Sequence, residues 1–326
     1  MADLEMESEA LGTPTEDNVG EAGFVEAVRP SVQVLIALAE GYDAVVRAAG
    51  GLPHADSPGM QELAEQEKLR NDYWLHPIDN AHMNAALMTS AGMDHLRSYA
   101  LLFRSAPTPT YSHLVVARAA LVAFAAAGWL AEPGIGATDR VKRSLVLVLH
   151  DAENRKRYGL QELRDQGATI IEDVRQGARL AGWEVSLSKK RVGGVGYPDP
   201  ATAIGAVIGP AAPPRSDGTA DPTSRLVWSY LSGVAHGYTF PLMQSMQVAP
   251  QRALIDGLVR GNLMTSSQSV HVMAQAITSA SITACGRFVD LMGWGTSGWL
   301  DVRGQAGAWM HSFTDTSPVT KAGSGP

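Results

Sequence analysis

The sequence predicts an all-α fold, a multi-helix bundle with one irregular loop insertion and disordered termini. Three observations carry that expectation. Apolar residues make up 45% of the 326-residue chain but aromatics only 6%, so Ala, Leu and Val must fill the core, a composition suited to closely packed helices. Apolar positions recur at three- and four-residue spacing through most of the chain, and Pro and Gly interrupt them at helix-length intervals. Strand-like alternation is confined to Glu184–Ser188. About seven to nine helices are expected, with almost no strand.

Residues 1–20 are acidic, rich in Gly, Pro and Thr, and aperiodic, which predicts a disordered tail. A helix is expected from Phe24 to Ala49 with Val32, Leu35, Ile36 and Leu38 inward, stopped by Gly50-Gly51-Leu52-Pro53. A polar helix follows from Pro58 to Tyr73. Asp79 is then a candidate N-cap for a long amphipathic helix through Phe103, which Pro107-Thr108-Pro109 ends. Thr110 or Ser112 opens the most apolar helix, closed by Glu132-Pro133-Gly134. Arg140 to Gln166 forms the next, with Gly167 as its terminator, and Ala168–Ala181 another. Residues 21–183 thus form the N-terminal part of the bundle.

From 184 to 223 the pattern is irregular: the short strand, a basic Gly-rich loop, one short helix between Pro198 and Ile208, and a Pro/Gly-rich loop at Gly209–Ser224. Residues 224–313 supply the C-terminal helices of the same bundle. One is expected from Ser224 to Met246, and the longest runs from Pro250 to Leu291. A final amphipathic piece carries Trp299, Val302 and Trp309, and residues 314–326 form a second disordered tail. Trp294, Trp299 and Trp309 are expected to pack at the bundle end.

Charge narrows the partners. Of 33 acidic residues, seven lie in residues 1–21, where there is no Lys or Arg; the other 26 balance the chain's 26 Lys and Arg. A neutral body offers no broad attraction for nucleic acid, though a local basic site remains open. The single cysteine, Cys285, permits no internal disulfide and sits in an apolar stretch as a small core residue. No uncharged run approaches the roughly 20 residues of a membrane span. The expectation is a cytoplasmic protein without membrane, metal or cofactor: His-Glu-x-x-His and Glu-x-x-His are both missing, and His82 and His95 differ by about 220° around a helix.

Three constellations are candidates for function. Arg118 interrupts the apolar run Leu114–Leu130, and none of its helical neighbours, Leu114, Val115, Leu121 and Val122, can pair with it. Its partner is either an acid from another helix or an anionic ligand. His236 follows Ser232 by one helical turn, with Gly233 and Gly237 removing bulk; the pair is either a structural hydrogen bond or a nucleophile and its base. The imidazole is expected to share a cavity with Arg118. Arg143 and His150 are seven positions apart, which places them on one helix face about 10 Å apart along the axis. They are either a solvated face beside Lys142 and Asp151 or a catalytic pair. The pair Arg47/His54 crosses Gly50, Gly51 and Pro53, and Arg70/His76 falls about 120° apart on a helix, so neither offers that geometry.

The string Thr110–Pro133, with Arg118 followed by an Ala-rich run into Gly128-Trp129-Leu130, then Arg140 and Arg143, and later Tyr230-Leu231-Ser232 with His236-Gly237, resembles a group of uncharacterised helical proteins from actinobacteria. These are similar in turn to the HEPN-like superfamily of helical bundles. The resemblance spans about Asn80 to Met246. In such proteins an acid commonly follows the Arg by four residues; Val122 stands there in this chain, which favours a ligand for Arg118. Metal-independent ribonucleases of the HEPN type use an Arg and a nearby His on the ribose hydroxyl and the phosphate, with two subunits often completing the site. The resemblance therefore implies one of two functions: a catalytically inert helical module that binds a protein or small molecule, or a ribonuclease or RNA-binding toxin or defence protein acting through His150 and Arg143. A third reading is a small-molecule enzyme using His236 and Arg118. A homodimer is implied by analogy. The neutral body and the short Arg–His motif favour the inert module.

Overall fold

The computed structural model describes residues 16–104, 111–209, 222–236, 246–248, 252–253, 259–260, 263–295 and 297–314. Among them are eleven helices and seven strands of two or three residues, so the fold is all-α. In chain order the helices are α1 (Glu16–Ala49), α2 (Pro58–Leu63), α3 (Gln66–Leu69), α4 (Pro77–Leu101), α5 (Ser112–Leu130), α6 (Ala137–Arg155), α7 (Gln161–Leu180), α8 (Pro200–Ile208), α9 (Pro222–Ala235), α10 (Ser267–Met292) and α11 (Ser297–Thr314). Strands β1 (Val185–Ser186), β2 (Arg191–Val192) and β3 (Val195–Gly196) form a small antiparallel sheet between α7 and α8.

Helix α5 is the axis of the bundle. It packs against α4, α6, α8, α9 and α10, and Leu114, Leu121, Phe124 and Leu130 are fully buried. A helix this apolar needs cover on most of its sides; five neighbours supply it and leave Val115 and Val122 exposed. Its length and composition are also those of a membrane span, by those two criteria alone; two thirds of its most apolar window is buried inside the bundle. Around it runs one continuous core of Leu35, Leu38, Leu96, Phe103, Ile277, Phe288 and their neighbours. Cys285 belongs to this core, where burial pushes its thiol up. Trp299 packs edge-on to Tyr42 and Trp294 edge-on to Phe288, so two of the three late tryptophans are core side chains.

A second, smaller core lies between α6, α7 and the small sheet, built on Trp74, Val146, Leu149, Ile171, Val174 and Val192. Short loops fix its edges. Asn71 accepts hydrogen bonds from the backbone N–H groups of Tyr73 and Trp74 and donates to the Gly177 carbonyl, so Trp74 is delivered against α7. Ser57, Asp199 and Ser266 cap α2, α8 and α10 through their side-chain oxygens.

Several boundaries differ from the sequence reading. The expected helix Arg140–Gln166 is two helices, α6 and α7, parted at residues 156–160 rather than at Gly167. Gly167 lies inside α7 because α6 passes so near that a Cβ there would stand 2.6 Å from the Ala152 carbonyl oxygen. The polar helix expected at Pro58–Tyr73 is the pair α2 and α3, and α4 begins at Pro77, which is preorganised for a first helical position, ahead of Asp79. α8 is a core helix: Ile204 and Val207 are fully buried against α5, α9 and α10. The long helix expected from Pro250 begins only at Ser267, after short strands within 246–265. Most of the two expected tails, most of the Gly209–Ser224 loop, and residues 237–245 of the helix expected to Met246 lie outside the described residues.

Gly293 closes α10 with φ +65°, and a Cβ there would stand 2.5 Å from Ser57 Cβ. Gly293→Ala is therefore expected to lower the unfolding free energy by about 2 kcal/mol, from left-handed backbone strain plus the clash. Urea denaturation followed by circular dichroism measures it; a change under about 0.5 kcal/mol would refute the packing described.

Candidate functional site

The deepest charge in the described structure belongs to Arg140, 2% exposed, and not to Arg118. Arg140 makes a two-pronged ion pair with Glu62: Nε donates to Oε2 at 2.8 Å and Nη2 to Oε1 at 2.9 Å. Nη1 donates to the Leu130 carbonyl at the end of α5. His82 Nε2 completes the group at 2.9 Å from Glu62 Oε2. Four helices, α2, α4, α5 and α6, meet at this centre. Burial by itself would raise the Glu62 carboxyl, but the hydrogen bonds from His82 and Arg140 outweigh it and hold the group below its ordinary value. The geometry is that of a fully paired buried charge, which a single substitution would leave uncompensated.

The signal for this centre was present in the periodicity. Arg140 shares a helix stripe with Ala137, Val141 and Ser144, all buried, and His82 shares one with Ile78, Ala81, Ala85 and Thr89, also buried. A charged residue on an apolar stripe is the same anomaly that singled out Arg118. Glu62, in a six-residue helix, carries no periodic signal of its own.

Beside the ionic centre, α4, α6 and α7 diverge and leave a cleft of about 290 Å³. Trp74, Pro77, Met83, Val141, Leu145, Val148, Ile170 and Val174 give it apolar walls; Asn80, Asn84, Ser144 and Asp173 are its polar groups. Asn84 Nδ2 donates to Ser144 Oγ at 2.7 Å, tying α4 to α6 and leaving the Asn84 carbonyl oxygen as an acceptor. Position sets this up: His82 and Asn84 lie within one turn of α4, and Arg140 and Ser144 within one turn of α6. A wider depression of about 730 Å³, lined by Arg155, Glu162, Asp165, Gln166, Thr169 and Ile170, is a solvated surface whose polar groups pair with one another or with neighbours on their own helix.

The sequence-predicted residues fall in two places. Arg118 is half-buried, its guanidinium over the Trp228 ring at 4.8 Å, and its Nε has no hydrogen-bond partner among the described residues. Ser232 lies on the same helix as Trp228, and His236 follows Trp228 by eight positions, about 12 Å along a helical axis, exposed at the end of α9. The Ser232–His236 link that is seen is between backbones, His236 N to the Ser232 carbonyl at 3.0 Å.

Arg143 and His150 do share one face of α6, set against a ring pair. Arg143 lies over Trp129 at 5.1 Å and donates to the Trp129 carbonyl and to Glu132. Trp129 meets Tyr197 edge-on at 4.9 Å, and Tyr197 meets His150 edge-on at 6.2 Å. Burial, and the Lys190 ammonium 3.4 Å from Nδ1, push His150 below its ordinary value. Arg143 is occupied by a carboxylate, and the rings separate it from the imidazole. Among the described residues no group of three or more His, Cys, Asp or Glu could hold a metal ion.

Comparison with protein-family models, with curated proteins and with solved structures finds no match to this chain.

The ionic centre makes two measurable claims. Arg140→Met is expected to cost about 4 kcal/mol of stability, because it strands the buried Glu62 carboxylate, whereas Glu62→Met/Arg140→Met together should recover most of that loss. Because the folded Glu62 lies below its ordinary value of 4.5, its contribution is present above that pH and is lost as pH falls through the folded value. Acid unfolding of the double variant should accordingly be shallower than that of the wild type; identical profiles would contradict the assignment.

Proposed function

We propose that this chain is a non-catalytic, all-helical binding module that receives its ligand in the cleft between α4, α6 and α7. The observation that carries this reading is the lining itself. It is apolar on most sides, with a few convergent polar groups, which is the usual make-up of a ligand site. Its one hydroxyl is Ser144 and its one carboxylate Asp173, and among the described residues no hydrogen bond joins the two, which supports a binding rather than a catalytic role.

A cleft-filling variant tests it. The wild type should raise the fluorescence of 4-dimethylaminobenzonitrile, a neutral single-ring dye, with saturation, and Val148→Trp should abolish most of that rise while keeping the wild-type circular dichroism. Undiminished dye binding by the folded Val148→Trp protein would place the apolar site elsewhere.

A second reading has its own observation: Arg143 and His150 face one aromatic pair with Lys190 hydrogen-bonded to the imidazole. Together with the HEPN-like resemblance, this supports a metal-independent ribonuclease or RNA-binding protein, acting as a homodimer in the cytoplasm. On this reading the wild type cleaves single-stranded RNA in EDTA and His150→Ala loses at least tenfold in rate. Equal rates, or no cleavage by either protein, would remove it.

A further inference from the structure

The charge at the cleft's rim specifies its ligand further. Of the twelve residues that line it, Asp173 is the only one that carries a charge at neutral pH. No cation among the described residues stands within ion-pair distance of it; the nearest in sequence, Arg175, pairs with Glu172 at 3.4 Å. The other polar groups of the lining, Asn80, Asn84 and Ser144, are neutral; the Asn84 amide donates to Ser144 and its carbonyl oxygen remains an acceptor, while the Asn80 amide can both donate and accept. An apolar hollow whose one charged group is a carboxylate, with amide oxygens beside it and no positive group, complements a molecule with an apolar body and a protonated amine.

Size decides between a small molecule and a peptide. A volume of about 290 Å³ is at the lower end of small-molecule sites, enough for a single ring with a short tail and too little for a helix laid in a groove. We infer that the cleft binds a small primary amine with an aromatic or branched apolar body, the ammonium directed at Asp173 and the Asn84 carbonyl, and the body against Trp74, Val148 and Ile170. This rests on the cleft being the ligand site.

The recognition involves no covalent step, so isothermal titration with three probes of one shape suffices: phenethylamine, phenethyl alcohol and 3-phenylpropionate. The wild type should bind the amine about fivefold more tightly than the alcohol, the gain expected of a solvent-exposed ion pair, and the carboxylate most weakly. Asp173→Asn should erase the amine's advantage and leave the alcohol unchanged, while Asp165→Asn, an exposed carboxylate on α7 outside the cleft, should alter neither. Equal binding of amine and alcohol by the wild type, or an advantage that survives Asp173→Asn, overturns the inference and leaves the cleft standing as an apolar site. Failure of all three probes to bind overturns both.

Discussion

A buried guanidinium must be paired, and the pairing of Arg140 organises this molecule. Three of its N–H donors reach a carboxylate from α2 and a carbonyl from the end of α5, while His82 of α4 bonds the same carboxylate from another side. Apolar contacts are permissive about the angle and register at which helices meet; a two-pronged ion pair with a third hydrogen bond is not. The centre therefore fixes the relative placement of α4 and α6, the two helices whose next turns carry Asn84 and Ser144. The cleft opens where those helices part around α7, so its width follows from a charge arrangement outside its own lining.

The two cores divide the labour. The large one, built around α5, holds α1, α4, α8, α9 and α10 chiefly by apolar packing, with polar links at Arg97–Asp43 between α4 and α1, Ser31–His271 between α1 and α10, and Arg287 to the Gly128 carbonyl between α10 and α5. The small one, between α6, α7 and the three-stranded sheet, is thinner and leaves Met83, Leu145, Val148 and Ile170 partly uncovered along one side. A concave, half-covered apolar surface beside a rigid polar clamp is a favourable place for a ligand, because the walls are preorganised and little order has to be lost on binding. The same clamp lowers the Glu62 carboxyl and so ties the integrity of this side of the bundle to pH in the acidic range.

The helical class, the position of α5 and the inward face of α1 are legible from periodicity, because those helices contribute apolar stripes to the large core; on α4 the apolar residues Met83, Leu87 and Leu101 are exposed, while Met93 and Leu96 are buried. Boundaries are less legible. Gly167 has the composition of a terminator but serves as a point of close approach between α6 and α7, and only the neighbouring helix distinguishes the two. A charge in an apolar setting points first to Arg118, whose run is the more apolar. Arg118 is met by the face of Trp228, an aromatic partner that charge counting passes over. Arg140 lies in a helix with seven charged residues of nineteen, which hid its place on the buried stripe, and its carboxylate partner is 78 positions away in sequence. The cleft had no sequence signature, since it is made of ordinary apolar residues from three helices and one loop.

The most direct test of this account is a nuclear Overhauser measurement on methyl-labelled protein in the presence of phenethylamine. The account requires cross-peaks from the ligand's ring protons to the methyl groups of Met83, Val148, Ile170 and Val174. Cross-peaks instead to Val115 or Val227, beside Arg118 and Trp228 in sequence, would contradict it and move the binding site to the other end of α5.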